Sequence, residues 1–591
     1  MPVPIAVSRG LGMERWITDW PIGQRFRHFT RANAGEVIAI PVTPLGQEYS
    51  WDRAMLLGWR DSYIRQGSYD ADEFDPDYPE VAGFFGGYFY INLSSVRMQG
   101  ARSPILTVEQ LDMAFFGDHP DVPPYVAHPL DDRPDLEPGI LGHLGWVMST
   151  TEWPEILEEK AAVAALRANR PDLTLLSDDE LVARAREIQP LLRQLFDSHT
   201  VTASSSGVAP GILFAVAEAI GDPSVPMKLV SGLGEVDSAE PSYAMWELSR
   251  LIRSSDELTA VFDGGVDGVL GELDASDSAE AAEFLAAFDR FLLEHGSRGP
   301  NEWELSADVW ETKPTLALSM IDRVRMQTDD ESPKKRNAAK AAEREAVTAE
   351  VRDKVNALDP ELAAQFEGAM VAANMLAFRE RTKTTNIRGV HEARLTFAEL
   401  GRRHAESGDL RHPKHIFMLR DAEVEPFVAD PGSFTDTLGE RYEQWETLWD
   451  LEPPFFIIDG DVPPISEWPH RGDAPVSVCG VGDSIQGVPG CAGVARGRAR
   501  VILDPSDPGL MEAGDILIAP STDPAWTPLF MPASAVVVNV GGQISHSIIV
   551  SRELGLPCVV SATDATKRIP DGATVEVDGA AGTVTVIELP A

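Results

Sequence analysis

Apolar residues recur at three- and four-residue spacing through the middle of the chain, a pattern typical of amphipathic helices. A first helix is predicted from about Glu155 and stops before Pro171. Further helices are predicted over DDELVARAREIQPLLRQLFDSH, SYAMWELSRLIRSS, AEAAEFLAAFDRFLLEHG and ELAAQFEGAMVAANMLAFRERTK, and Gly296 stands where the C-cap of the third belongs. A long helix is predicted over 333–357, and we interpret its charges as a solvated face with pairs four residues apart.

The two ends of the chain follow other patterns. The first 153 residues are rich in tryptophan and turn residues, and 84–98 is predicted to be a glycine turn that leads into a strand. After about residue 475, short apolar runs between turn residues predict strands, and a closing β-hairpin is predicted around Asp578 and Gly579. The predicted strands are ARVIL, DILIAPS, SAVVVNV, PCVVS and the two halves of TVEVDGAAGTVTVIE. One helix interrupts them, at SHSIIVSRELG.

These patterns predict a multidomain protein of the α/β and α+β class. Its 591 residues are too many for one hydrophobic core. We expect a large, mainly helical body at 1–460, a linker at 461–475 and a compact α/β module at 476–591. The linker is predicted from the density of proline, glycine and aspartate in EPPFFIIDGDVPPISEWPHRGDAP.

Composition excludes several classes of function. The formal charge of −43 argues against a protein that holds nucleic acid or anionic lipid through bulk positive charge. No apolar run approaches the roughly 20 residues that a membrane helix needs, and no signal peptide is recognisable at the start. Three cysteines cannot form a disulfide framework, so a reducing cytoplasm is expected. His412 and His415 have no third ligand nearby, and no metal site is predicted.

The segment VVVNVGGQISHSIIVSRELGLPCVV carries the clearest chemical signal. A buried strand is predicted to end at Val540, and Gly541 and Gly542 permit a tight turn with positive φ. Ser545 is a predicted N-cap, so His546 falls in the first helical turn, beside free backbone N–H groups and the positive end of the helix dipole. Such a histidine tends to be neutral and close to an anion site, which suits a phosphohistidine, although a surface or capping role fits the same geometry.

The motif GGxxSHSxIVxRELGxP at 541–557 resembles the swivelling phosphohistidine domain of the PEP-utilising enzymes. GVPGCAGVARGRARVI at 487–502, TDPxWTPLF at 522–530 and DGxxVxVDGxxG at 571–582 resemble the other signatures of that domain, in the same order. The resemblance implies a swivelling β/β/α domain in which His546 is phosphorylated and dephosphorylated in each turnover. It also implies a phosphoryl loop, for which we expect Gly541, Gly542, Thr522 and Asp523. Ser545 is expected either to contact the phosphoryl group or to cap the helix.

The body resembles the acceptor-binding region of the rifampin phosphotransferase type of this family. Segments near residues 31–45, 90–92, 295–310, 379–383 and 408–419 carry that resemblance. It implies catalytic roles for Arg298, Glu302, His295 and Lys383, and acceptor binding by the residues Arg31, Asn33, Glu36 and Arg379. Each cation could instead hold a structural ion pair, and Glu36, Glu302 and His295 are open candidates for the base that deprotonates a hydroxyl.

The glycine- and arginine-rich signatures of an ATP-grasp module, which loads the histidine in relatives, are not found in these residues. The order of acceptor region and histidine domain is similar to one component of phenylphosphate synthase and of p-cresol-type phenol-phosphorylating systems. That resemblance implies a separate ATP-grasp subunit that uses ATP and Mg²⁺, and a small aromatic hydroxyl compound as the acceptor. The alternative is a phosphocarrier or regulatory protein without a small-molecule acceptor of its own.

Overall fold

The computed structural model describes residues 16–104, 106–116, 121–222, 224–233, 237–329, 332–472, 476–505, 511–522, 526–542 and 545–590. Within these residues, helices and two β-sheets form a mixed fold, with a small sheet near the start of the chain and a larger one in the C-terminal part. The mixed helical and sheet character predicted from the sequence is therefore confirmed.

The small sheet brings together strands from both ends of the predicted body. In the described residues its strands are β1 (Phe29–Thr30), β2 (Ala82–Phe85), β3 (Tyr88–Asn92) and β4 (Phe456–Ile457), in the order β2-β3-β1-β4. The predicted glycine turn joins β2 to β3 through Gly86 and Gly87, whose φ angles of 56° and 81° favour glycine. After Asn92 the chain turns into a helix instead of continuing as a strand, because the side chain of Asn92 caps the backbone N–H of Ser95.

Helices are present in each predicted segment of the body, but the single helix predicted at 361–383 is divided at Ala373, and the other body helices were not predicted. The body helices are α1 (Ala34–Val37), α2 (Leu56–Arg65), α3 (Leu93–Arg102), α4 (Val108–Phe116), α5 (Glu137–Val147), α6 (Pro154–Ala168), α7 (Asp178–Ser205), α8 (Val208–Ile220), α9 (Val225–Leu229), α10 (Glu240–Ser254), α11 (Asp256–Asp263), α12 (Val269–Asp274), α13 (Ala279–His295), α14 (Thr315–Val324), α15 (Pro333–Leu358), α16 (Pro360–Ala372), α17 (Asn374–Ser407), α18 (Val424–Ala429) and α19 (Thr435–Leu448). A π-helical segment, Gly46–Met55, leads directly into α2.

The long helices α7 and α17 pack along each other and form the centre of the body. Helix α7 begins at a capping box made by Ser177 and Glu180, and α17 ends at Gly408 in the left-handed conformation. Gly296 does follow α13, but with a right-handed φ of −62°. A side chain there would collide with the carbonyl oxygen of Leu292, 2.2 Å away, so space explains this glycine better than φ does.

One helical stretch of the described residues, Asp178–Ile220, is long and apolar enough to pass a length and composition test for crossing a membrane. Half of its most apolar window is buried inside the protein. A core helix passes the same test, and this stretch supplies Leu181, Leu192 and Leu195 to the protein interior.

The predicted linker packs partly onto the body. Ile465 and Trp468 are buried in the same hydrophobic core as the N-terminal aromatic residues, and Trp468 donates a hydrogen bond to the carbonyl of Pro463. The large side chains of this proline-rich segment therefore hold it against the body. Residues 473–475 lie outside the described part of the chain.

The larger sheet is built from the short apolar runs of the C-terminal part. In the described residues its elements are β5 (Ser484–Gln486), β6 (Val488–Cys491), β7 (Val494–Val501), β8 (Ile516–Ala519), α20 (Thr527–Phe530), β9 (Ala535–Val538), α21 (His546–Leu554), β10 (Cys558–Val560), α22 (Ala565–Arg568), β11 (Thr574–Asp578) and β12 (Thr583–Glu588). The strand order is β5-β12-β11-β7-β8-β9-β10-β6. Strands β7 to β10 are parallel neighbours, so the segments after β8 and β9 leave the sheet at the same edge.

A hydrophobic cluster joins this module to the body. Phe530, Ile548 and Leu554 of the module share it with Trp246 of α10 and Val324 of α14. Helix α21 also packs against α15 of the body. The face of α21 that starts with His546 is therefore covered by body helices.

Candidate functional site

His546 is the first residue of α21 and lies where the segments after β8 and β9 meet. Its ring is held between two hydroxyl groups, with Nδ1 3.2 Å from Oγ1 of Thr522 and Nε2 3.2 Å from Oγ1 of Thr527. The ring of Phe530 meets it edge-on, 5.9 Å between centroids. Both ring nitrogens are thus within reach of a hydroxyl, and Thr527 is a contact that we did not predict, although it lies in the TDPxWTPLF motif.

Burial is the main cause that lowers the pKa of His546 well below its usual value, and positive charges on Lys383, Arg298 and Arg379 lower it further. The ring is therefore neutral at neutral pH and has a lone pair available for phosphorus. All three cations belong to the body, in α17 and in the loop after α13. The structure thus brings together the histidine and three of the predicted body residues.

The predicted roles of Ser545 as a side-chain cap and of Gly541 as a positive-φ turn residue are not observed. Ser545 occupies the N-cap position, but its side chain makes no capping hydrogen bond and lies 2.9 Å from the hydroxyl of Ser547. Gly541 has no positive φ. A side chain there would press on Val560 at 3.1 Å and on Ser545 at 3.2 Å, so the need for space replaces the predicted need for a left-handed backbone. Asp523 lies outside the described residues.

Of the cations that face His546, Arg298 and Lys383 are buried and Arg379 is partly buried, and all three lie near carboxylates. Arg298 donates to Oε1 of Glu302 at 2.9 Å, and Nζ of Lys383 lies 3.9 Å from the same oxygen. Arg379 is paired with Glu380. Three cations against two carboxylates leave one net positive charge in this set. The other oxygen of Glu302, Oε2, is buried without a hydrogen-bond partner among the described residues.

Glu36 of α1 also belongs to this site. Its carboxyl is buried, and burial raises its pKa to about 8, while Arg379, Lys383 and the backbone N–H of Gly542 act in the opposite direction. Gly542 belongs to the segment that leads to His546, so Glu36 connects the body to the predicted phosphoryl loop. At neutral pH Glu36 is mostly protonated and adds little negative charge to the cluster.

Three residues predicted to belong to the site, Arg31, Asn33 and His295, have no described contact with His546. The Arg31 guanidinium donates to the carbonyls of Phe89 and Ile38 and lies over the ring of Tyr88, contacts that hold the small sheet together. Asn33 precedes α1 with a left-handed φ of 55° and makes no side-chain cap. His295 ends α13, and burial together with nearby cations, Arg388 first, lowers its pKa to about 3.

An aromatic wall adjoins the cations. The rings of Trp51, Phe196, Trp303 and His199 contact one another, with centroid separations from 5.5 to 5.9 Å. Nε1 of Trp51 and Nε1 of Trp303 are buried without hydrogen-bond partners among the described residues. Trp303 follows Glu302 in the chain, so the wall and the ion cluster share a loop. No sequence motif indicated that His199 lies near this site, because the residues around it show only the apolar spacing of an ordinary amphipathic helix.

The described residues contain no group of three or more histidine, cysteine, aspartate or glutamate side chains suited to a metal ion. The carboxylates nearest His546 are paired with arginine and lysine, so they do not fit Mg²⁺ as a ligand set.

Two segments of the chain match known families. Residues 198–380 match the family described as rifampicin phosphotransferase fourth domain, and residues 511–582 match the PEP-utilising enzyme, mobile domain. The first segment contains His199, Arg298, Glu302 and Arg379, and the second contains His546. The geometric site therefore draws on both matched segments.

Relatives include an uncharacterized protein of Mycobacterium tuberculosis, 32% identical over 312 residues, which are 53% of this chain and 32% of that protein. A rifampicin phosphotransferase of Bacillus cereus is 26% identical over 408 residues, covering 68% of this chain and 46% of its own length. The prodigiosin synthesizing transferase PigC of Serratia marcescens is 24% identical over 608 residues, covering 97% of this chain and 64% of its own. The matched regions span about a third of the first of these relatives and less than two thirds of the others.

Proposed function

We propose that the chain, two segments of which match domains of the PEP-utilising and rifampicin phosphotransferase type, is a phosphotransferase component that carries a phosphoryl group on His546 and delivers it to a small hydroxyl acceptor. The observation that carries this proposal is the neutral ring of His546, held between two threonine hydroxyls and facing Lys383, Arg298 and Arg379. Phosphoryl transfer needs positioning and neutralisation of oxygen charge more than covalent help from the protein.

In the proposed transfer step, the phosphorylated His546 lies against the body. Lys383, Arg298 and Arg379 neutralise charge on the phosphoryl oxygens, while the threonine that faces the unphosphorylated ring nitrogen, Thr522 or Thr527, orients the ring. These cations are desolvated, so their attraction for phosphoryl oxygens exceeds what it would be in water. Protonated Glu36 can donate a hydrogen bond instead of repelling the phosphoryl group.

The acceptor is proposed to be a phenol or another aromatic alcohol. The proposal draws on the buried cluster of Trp51, Phe196, Trp303 and His199 beside the cations, because aromatic side chains are suited to packing against an aromatic acceptor. The unpartnered indole N–H groups of Trp51 and Trp303 could donate to a polar substituent of such a ring.

We propose that His546 is loaded from ATP and Mg²⁺ by an ATP-grasp module outside these 591 residues, carried by a separate subunit. The proposal draws on the resemblance to two-component phenol-phosphorylating systems. A cytoplasmic location is proposed as well, because all three cysteines are unpaired and buried, as a reducing compartment allows.

The test is a labelling experiment with ATP that carries ³²P in its β-phosphate. The chain is incubated with Mg²⁺, with and without a candidate ATP-grasp partner, and the protein is then separated and chased with 4-methylphenol. We expect acid-labile, base-stable label on the chain only when the partner is present, and its transfer to the phenol. Absence of label with every partner would overturn the enzyme proposal, and label without a partner would overturn the two-subunit proposal. Label that moves only to another protein would favour the phosphocarrier alternative.

A further inference from the structure

A second histidine, His199 of α7, lies beside two of the cations that face His546, Arg379 and Lys383, and the proposed transfer gives it no role in moving a proton. Its Nδ1 is 3.2 Å from Oγ1 of Thr382, the residue that precedes Lys383. Its ring contacts the indole of Trp303, 5.8 Å between centroids. Burial first, and then Arg379 and Lys383, lower the pKa of His199 well below its usual value, so the ring is neutral at neutral pH.

The hydroxyl network behind His199 decides which ring nitrogen carries the proton. Thr202 donates its only hydroxyl proton to the carbonyl of His199 at 2.8 Å. The hydroxyl of Thr382 also donates to the carbonyl of Phe378 or of Arg379, each at 3.0 Å, and lies 2.9 Å from the hydroxyl of Thr202, so its single proton goes to these partners. Thr382 has no proton left for His199, and it accepts one from Nδ1–H. This assignment leaves Nε2 with its lone pair, and no described residue forms a hydrogen bond with that nitrogen.

The other candidate bases are less suited to the task. Glu36 has a pKa of about 8 and holds its proton at neutral pH. Glu302 accepts a hydrogen bond from Arg298 and lies near Lys383, so its negative charge already compensates these two cations. His295 lies among Arg388, Arg298, Arg167 and Lys160, of which only Arg298 also faces His546, and no described contact joins His295 to His546.

We propose that Nε2 of His199 is the catalytic base that takes the proton from the acceptor hydroxyl. The proposal rests on the proposed function. The hydroxyl oxygen forms a bond to phosphorus while the bond from phosphorus to the ring nitrogen of His546 breaks, and its electron pair returns to that ring. The second ring nitrogen of His546 carries a proton in the phosphorylated form, so the ring leaves as neutral imidazole. The hydroxyl proton moves to His199 Nε2, and the imidazolium later releases it to water.

The phosphoryl group strengthens this base when it arrives. Arg379 and Lys383 disfavour a positive charge on His199 in the empty site. The phosphoryl oxygens offset those two cations, so His199 becomes a better proton acceptor at the moment when transfer can occur. The same arrangement keeps His199 unprotonated before the phosphoryl group is delivered.

The test separates loading from transfer. The full chain and its variants are loaded chemically with ³²P-phosphoramidate, and transfer of the label to 4-methylphenol or to the far more acidic 4-nitrophenol is followed in a single turnover. His199→Gln is compared with His143→Gln, a matched control in α5 whose ring is likewise partly buried and contacts a hydroxyl, Ser205 at 2.9 Å. His199→Ala is assayed with and without added imidazole.

We expect His199→Gln to load like the wild type but to transfer to 4-methylphenol about 100-fold more slowly, the lower end of general base catalysis. The defect should shrink to a few-fold with 4-nitrophenol, which needs little help to lose its proton, and imidazole should restore part of the rate of His199→Ala. Equal defects with both phenols and no rescue would mean a structural role and overturn the assignment. A wild type that does not transfer would overturn the proposed function, and His199→Gln at the wild-type rate would overturn only the base.

Discussion

Asn337 of α15 donates a hydrogen bond of 2.8 Å to the carboxylate of Glu553, which lies on the helix that begins with His546. Glu553 is almost fully buried, and burial raises its pKa to about 7. Glu36 of the body makes a second such contact, because its carboxyl interacts with the backbone N–H of Gly542 in the module. The C-terminal module is thus docked on the body through two carboxyl groups that both hold protons more tightly than carboxyls in water.

Docking of the module should therefore depend on pH. A carboxyl whose pKa is higher in the docked state takes up a proton on docking, so docking is strongest below the ordinary pKa of 4.5. It should weaken as pH rises from 4.5 to about 7 for Glu553 and to about 8 for Glu36, and then level off. We expect Glu553→Gln and Glu36→Gln each to dock more strongly than the wild type at pH 8.

Docking can be followed by energy transfer between dyes on the body and the module, placed at Ser433→Cys and Glu576→Cys, since the natural cysteines are buried. Glu350→Gln, an exposed carboxylate paired with Lys354, is the control and should leave the pH profile unchanged. A profile for Glu553→Gln that matches the wild type would contradict this account of the contact.

Lys383→Met should abolish most transfer while leaving loading intact. The side chain lies near Glu302 and contributes to the cation cluster that faces His546, and a desolvated cation on a phosphoryl group accounts for about 100-fold or more in rate. The measurement is single-turnover transfer from the loaded protein. Lys414→Met removes an exposed partner of Asp308 and should transfer normally. Equal rates for both variants would contradict a role for Lys383.

Thr527→Val should slow both loading and transfer by about 10-fold, the cost of one hydrogen bond that positions a ring. Valine keeps the shape of threonine but cannot hold Nε2 of His546, which lies 3.2 Å from the hydroxyl. Thr585→Val, on an exposed strand where the hydroxyl pairs with Ser484, is the matched control. Loading at the wild-type rate by Thr527→Val would show that the hydroxyl does not orient the histidine.

Arg394→Met should destabilise the body by about 3 kcal/mol, because it strips partners from buried groups. The guanidinium is buried and donates to the carbonyls of Glu302 and Glu304 at 2.6 and 3.0 Å, which supports the loop that carries the ion cluster. Urea unfolding measures the loss. Arg411→Met removes an exposed pair with Asp436 and should cost less than about 1 kcal/mol. A similar small cost for Arg394→Met would contradict the supporting role.

Local sequence signals predict the elements well where the cause of structure is local. The charged helix predicted at 333–357 is Pro333–Leu358, and proline at its first position favours that start. The helix predicted around SHSIIVSRELG begins at His546 and is capped by Gly555. The φ of Gly555 is 70°, a left-handed conformation that glycine adopts without steric strain. Spacing, caps and turn residues act within a few positions, so they can be recognised in one sequence.

The parts that sequence could not predict depend on distant partners. Arg552 lies on a helix that the sequence predicts to be amphipathic, yet it is buried, because α21 packs on the sheet on one side and on α15 on the other. Nothing near Glu36 indicates that it meets Gly542, and nothing near His199 indicates that it meets Thr382. Motif resemblance located Arg298, Glu302, Arg379 and Lys383, whereas the tertiary contacts decide which of the motif residues share one site.

The account depends most on His546 as the residue that carries phosphate. The direct measurement is to load the chain with ³²P-phosphoramidate, digest it under alkaline conditions that preserve phosphohistidine, and map the labelled peptide by mass spectrometry. The proposed function predicts label on the peptide that contains His546, no label on the corresponding peptide of His546→Gln, and loss of that label when 4-methylphenol is added. A wild-type His546 peptide without label, or with label that the phenol does not remove, would contradict it.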